Sequence, residues 1–351
     1  ADQTVRLWEV GTGESLAVLR GHGSEVWCVD FGADGRTLAS GGKDRQVLSW
    51  PITEIRDLDL VEGATFSPLV FSGNSRRAAT VSTNAHWSAL VHELASGRIL
   101  RRFEEVRPLG LDDSGDTLWA RSRGFSVREF AVDTGRLLSR TELAHLEAEV
   151  WPEDMTITPD GRWISGVAGD GCVSLWHRIP GAAEAPRVFR QRLANGLPWG
   201  YVHLAPDGSD LVVTVGEAGF WAGSTASGAL RPIRAHLDMG KGAAFSPDGR
   251  LLATASVDAT LRLWAYPELT EAGTLHGHPT EVSGVAFSPD GEILASSESG
   301  QGIRFWHVRT RREVAVLRLP DIVQDVVFSP DGEILAASLR TGHFRLLRAP
   351  R

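Results

Sequence analysis

The chain has 351 residues, 42% of them apolar, with 38 Gly and 17 Pro: enough hydrocarbon for a large core, and the turn content of a loop-rich all-β protein. A formal net charge of −8 leaves no basic footprint for nucleic acid or anionic lipid, and two cysteines, Cys28 and Cys172, make neither a disulfide framework nor a metal set. No apolar run is long enough to span a bilayer and the N-terminus shows no signal-peptide pattern, so a cytoplasmic protein without a membrane partner is expected.

The first predicted elements are a strand at Thr4–Trp8 and a strand at Ser15–Leu19, followed by a unit that then recurs to the end of the chain. Each unit begins with a strand ending on an apolar residue, and these residues serve as a ruler: Phe31, Phe71, Leu111, Ile157, Leu204, Phe245, Phe287 and Phe328. Their spacings are 40, 40, 46, 47, 41, 42 and 41 residues. A period of about 40–45 residues with four short strands is the β-propeller pattern. A turn follows each ruler residue, PDG from Pro159, Pro206, Pro247, Pro289 and Pro330, ADG from Ala33 and DSG from Asp113; only the unit at Phe71 differs, with SGNS. Pro fixes φ early in such a turn and Gly supplies the positive φ later, which is hairpin chemistry. Nineteen residues after the ruler stands a tryptophan in four units, Trp50, Trp176, Trp264 and Trp306; the Phe71 unit has Leu90 there, or His92 if two residues are inserted.

Gly21-His22, Gly277-His278 and the recurring FSPDG…LAT…LW phrase carry a resemblance to the WD-repeat β-propeller family, bacterial members in particular, over essentially the whole chain. The resemblance implies four-stranded antiparallel blades held by a His, Ser/Thr, Asp and Trp network. That network maps onto His22, Ser40, Asp44 and Trp50 in the first unit and onto His236, Thr254, Asp258 and Trp264 in the sixth. In the seventh, His278, Ser296 and Trp306 remain and Gly300 replaces the Asp. The same residue types could suggest a hydrolytic triad. The set recurs in separate units beside a Trp, with no nucleophile-elbow signature, so the structural role is preferred.

In the family a fourth strand precedes its neighbour's first strand, and the ring closes by joining the chain ends. Ser15–Leu19 can complete the last unit, so eight blades are expected, with seven blades plus an extra unit as the alternative. Thr4–Trp8 is then surplus, which suggests one propeller cut from a longer protein.

No catalytic, cofactor or metal site is legible, and His276-Gly-His278 is assigned to structure rather than to a metal. The expected function is a non-enzymatic interaction scaffold or sensor that binds a protein or peptide on a propeller face. The alternative is a propeller hydrolase with a metal in the central channel. The resemblance also implies a kinase or nucleoside-triphosphatase domain attached outside these residues. Candidate partner contacts stand six residues before or twelve after the ruler: Glu25, Lys43, Glu105, Arg123, Trp151, Met239, Glu281, Ile322 and Arg340. Trp199 joins them because the second to fifth units, richest in displaced tryptophans such as Trp87, are expected to hold the partner-specific arc.

Overall fold

The structure, a computed structural model, describes residues 4–8, 15–20, 23–31, 37–51, 54–56, 69–82, 87–96, 98–122, 126–143, 152–158, 160–168, 172–178, 187–193, 201–205, 207–214, 219–233, 236–299, 302–319, 321–340 and 344–348. These residues hold 33 strands and no helix. The first six are β1 (Thr4–Trp8), β2 (Ser15–Arg20), β3 (Val26–Phe31), β4 (Thr37–Gly42), β5 (Val47–Pro51) and β6 (Glu54–Arg56). The rest belong to seven antiparallel blades, numbered one to seven, at residues 70–104, 106–142, 152–192, 201–233, 240–275, 282–318 and 323–348. Blade seven takes β6 as its fourth strand, with Leu347 opposite Ile55.

Turn chemistry makes the hairpins. In blade five Ser246 Oγ donates to Asp248 Oδ1 (2.6 Å), that oxygen accepts the Arg250 N–H (3.0 Å), and Gly249 takes φ +69°. Ser288 with Asp290, and Ser329 with Asp331, repeat it in blades six and seven. The SGNS of blade one makes the same turn with Asn74 in place of Asp and Ser75 at φ +54° in place of Gly. Positive φ is costly for Ser. Here the Ser75 hydroxyl accepts the Asp331 N–H from blade seven at 3.1 Å, a bond that Gly could not make.

Second strands are buried on both faces; in blade five Leu252, Ala253, Thr254, Ala255 and Ser256 are all enclosed. The two faces differ in chemistry. One carries the residues eight and sixteen after the ruler, mostly small or aliphatic. The other carries the ruler itself and the residues seven and nineteen after it, typically Phe, Leu and Trp. Each blade lays its small face on the large face of the next. Ala253 and Leu261 of blade five share a core cluster with Phe287, Leu294 and Trp306 of blade six. Ala295 and Ile303 of blade six meet Phe328, Leu335 and Leu347 of blade seven. First strands crowd as they converge: a Cβ on Gly242 would lie 2.7 Å from the Ser283 carbonyl oxygen, and one on Gly284 would lie 2.8 Å from the Asp325 Cα.

The ring closes with seven blades, not eight. Ala336 and Leu346 of blade seven pack on Phe71, Ala78 and Leu94 of blade one. β2 does not complete the last unit. It pairs with Arg312–Arg318 on the outer edge of blade six, Val18 opposite Val316, and β1 pairs outside it. The first unit forms a separate three-stranded sheet in the order β3-β4-β5. The physical reason is that blade one has a single large face, and blade seven occupies it.

Replacing Leu346 with Ala opens a cavity at the closing interface and is expected to cost about 2–5 kcal/mol in urea denaturation. Val47→Ala, on the separate sheet, is expected to stay within about 0.5 kcal/mol.

Candidate partner-binding face

The loops entering first strands and the turns joining second to third strands lie at one end of every blade. Backbone hydrogen bonds join the two expected sets of positions pair by pair at that end: Lys43 N–H to the Glu25 carbonyl (2.8 Å), Val257 to Met239 (3.0 Å), Ser299 to Glu281 (3.3 Å) and Arg340 to Ile322 (2.9 Å). Side chains then distinguish the pairs. Ser299 Oγ donates to Glu281 Oε1 at 2.6 Å, and Lys241 Nζ stands 4.0 Å from the same carboxylate. Met239 is half-buried beside Leu237, which is 93% exposed, and Ile322 is half-buried beside an exposed Arg340. Glu105 is exposed, at φ +59°, in the one-residue turn between the fourth strand of blade one and the first strand of blade two.

Glu25 and Lys43 make an exposed 3.6 Å ion pair, but they stand on the β3–β5 sheet rather than on the ring. Arg123, Trp151 and Trp199 lie outside the described residues.

Trp87 is the feature that spacing alone places wrongly. Sixteen residues after Phe71, it would fall on the buried small face. The two-residue insertion instead puts Ala89 on that face, fully buried, and moves Trp87 to the turn before the third strand of blade one. There Trp87 is 42% exposed, with the Arg107 guanidinium carbon 3.4 Å from its ring centroid. Such stacking holds a large aromatic surface in place at the rim with little loss of side-chain freedom on binding. The insertion shows in the position of His92, which pairs with Ala78 as Trp264 pairs with Leu252.

The network residues lie inside blades. In blade five the Trp264 Nε1–H donates to Thr254 Oγ1 (3.0 Å), the Thr254 hydroxyl reaches His236 Nε2 (2.9 Å), and His236 Nδ1 lies 3.1 Å from Asp258 Oδ2. With Trp donating to Thr and Thr to His, the neutral imidazole carries its proton on Nδ1 and donates to Asp258. Burial lowers the His236 pKa, against the pull of Asp258. Burial opposes the Asp258 charge, yet hydrogen bonds from Thr260 and the Leu237 N–H, with His236 adjacent, hold its pKa below the ordinary value. Blade six keeps Trp306, Ser296 and His278 at 2.9 Å each, while His278 Nδ1 is buried without a hydrogen bond among the described residues. In blade one His92 takes the Trp role and reaches Thr80 at 2.9 Å. In the first unit Asp44 accepts the Gly23 N–H (2.7 Å) and Ser40 is buried; His22 and the Trp50 side chain lie outside the described residues.

Four stretches, residues 13–50, 139–177, 232–265 and 269–307, match the family described as WD domain, G-beta repeat. The chain belongs to the WD-repeat β-propeller family. It is similar to Transducin beta-like protein 3 of Bos taurus, 24% identical over 79% of this chain and 44% of that protein. Nuclear distribution protein PAC1 of Arthroderma benhamiae is 24% identical over 75% of this chain and 54% of its own length. WD repeat-containing protein 18 of Rattus norvegicus is 39% identical over 16% of this chain and 13% of its own. The propeller spans about half the length of the first two relatives.

The network residues act as fasteners. Thr254→Val removes the hydroxyl that serves both Trp264 and His236, and a loss of about 2–4 kcal/mol is expected in chemical denaturation. Burial also pushes His92 and His203 down to about 4, and burial with the nearby Arg304 pushes His278 down to about 3. Below pH 6.5 the unfolded chain takes up protons that these imidazoles refuse when folded, so stability falls as pH drops from about 6.5 towards 4. Each group contributes at most about 3 kcal/mol to that loss. Urea midpoints at pH 7, 5.5 and 4 check this, and His278→Gln is expected to flatten the slope while weakening the fold at pH 7.

Proposed function

We propose that this propeller is a non-enzymatic interaction scaffold or sensor module, binding a protein or peptide partner on the face where the loops enter the first strands. The observation that carries this reading is Trp87. It is a large aromatic left 42% exposed, whereas Trp119, Trp176, Trp264 and Trp306 are enclosed, and it is braced by Arg107 at the rim. Exposed Leu237 and half-buried Met239 stand at the same end of blade five, and Glu105, Glu281 and Arg340 supply polar contacts around the same end. Apolar anchors with a charged surround are what a protein interface needs.

Family membership supports a binding role over a catalytic one. The hydrolase alternative has no observation in its favour: among the described residues no three His, Cys, Asp or Glu side chains group as ligands. A cytoplasmic setting and an attached domain outside these residues remain part of the proposal. A relative from Mus musculus, NACHT domain- and WD repeat-containing protein 1, is 25% identical over 78% of this chain, and its name joins another domain to WD repeats.

The test is quantitative affinity capture from the source cells with wild-type protein, Trp87→Ala and Arg250→Ala, the last in a turn at the opposite end of blade five. Truncating a central aromatic anchor typically costs 2 kcal/mol or more, so Trp87→Ala should weaken specific capture by roughly 30-fold or more. Arg250→Ala should leave capture unchanged. Equal retention by Trp87→Ala, with an unaltered melting temperature, would remove Trp87 from the interface.

A further inference from the structure

The first unit is folded as a blade but is not used as one. Val47 stands sixteen residues after its ruler Phe31 and is 79% exposed, whereas Leu261 and Ile303 at the same place in blades five and six are 0% exposed. Ala39, eight after the ruler, is exposed, while Ala253 and Ala295 are buried. Val29, two before the ruler, is 53% exposed, against buried Ala243, Val285 and Val326. This exposure is not the mark of a decayed repeat. Asp44 holds its loop through the Gly23 and Gln46 N–H groups, the Lys43–Glu25 backbone bond is formed, and residues 13–50 match the family pattern.

The seven ring interfaces say what is missing. The small face of each blade is covered by the Phe, Leu and Trp positions of the following one. The unit that follows the first in sequence is blade one, and its large face of Phe71, Ala78 and Leu94 lies against Ala336 and Leu346 of blade seven. Two small faces therefore compete for one large face, and the separate sheet is left without one. Its third strand, β5, also has no fourth strand among the described residues.

We propose that the β3–β4–β5 sheet is a blade of a second WD-type propeller, and that its face bearing Ala39 and Val47 packs on the Phe–Leu–Trp face of another WD-type blade in the same polypeptide. The chemistry selects a large face as the occupant over the equivalent small face of a second copy. Two small faces set against each other would place alanine and valine opposite alanine and valine and leave voids, whereas a Phe–Leu–Trp face fills the space to the density of the ring interfaces. Every large face in the ring is already occupied, so a second copy's ring offers none; the large side of a second copy's own β3–β4–β5 sheet is the one competing surface, and the concentration series below separates it. Length is consistent with this: more than half of Transducin beta-like protein 3 lies outside the stretch it shares with this chain. The same polypeptide would supply the fourth strand to β5, as β6 does for blade seven.

The experiment measures thiol labelling of Val47→Cys in a Cys28→Ser, Cys172→Ser background, in residues 1–351 and in the full encoded polypeptide. In residues 1–351 the thiol should react at the rate of an exposed cysteine at every protein concentration. In the full polypeptide it should react about 100-fold more slowly or less, as a site inside a packed blade does. Equal rates in the two would overturn the proposal. Slow labelling of residues 1–351 at all concentrations would mean that the ring itself covers the sheet. Protection that grows with concentration would mean a second copy does, and either result overturns it. Hydrogen exchange of the unsubstituted proteins across β5 gives the same comparison if the cysteine variant does not fold, and unprotected amides there in the full polypeptide would refute it.

Discussion

One packing rule organises the molecule: a blade's small face must be covered by the next blade's large face. A four-stranded sheet cannot be stable with both faces wet, and the aromatic and leucine residues on one side of each unit match alanine and valine on the other. Because every contact is directed from one unit to the next, an open array always ends with one small and one large face bare. Closing the ring removes both. Seven units accomplish this here, with β6 completing blade seven and the Ser75–Asp331 hydrogen bond bridging the join.

Within a blade, the polar network serves the same end. A Trp at the large face brings an N–H into the core, and that N–H must be satisfied. Thr254 in blade five and Ser296 in blade six accept it, and the imidazoles of His236 and His278 take the next place in the chain of donors. In blade one His92 stands at the place of the indole and bonds Thr80 through Nε2, while its Nδ1 is buried without a partner among the described residues. In blades five and six the Thr or Ser and its His thus serve a buried tryptophan, and these residues lie inside the sheets, away from the face proposed for partners.

The rim is where units are free to differ. A backbone hydrogen bond ties the loop before the first strand to the turn after the second, as in Met239–Val257 and Ile322–Arg340, so a change of side chain there leaves the scaffold intact. Blade one departs furthest. Two extra residues lift Trp87 out of register with the core and place it beside Arg107 of the neighbouring blade, producing a supported aromatic surface between two blades.

Much of this was legible in the residue pattern. The ruler residues, the turn triplets and the residues His236, Thr254, Asp258 and Trp264 of the hydrogen-bonded network all depend on contacts within one repeat, and local spacing determines those. The position of Trp87 was ambiguous because an insertion shows only as a choice between Leu90 and His92, and hydrogen-bond register decides it. Closure was legible only as two alternatives, eight blades or seven with an extra unit, and the residue pattern favoured the wrong one. The first unit and blade seven carry equivalent small faces, and no local feature states which of them blade one will cover. Packing between segments some 260 residues apart settles that choice in favour of blade seven, because Ala336 and Leu346 meet Phe71, Ala78 and Leu94 there, while Val47 is left in water.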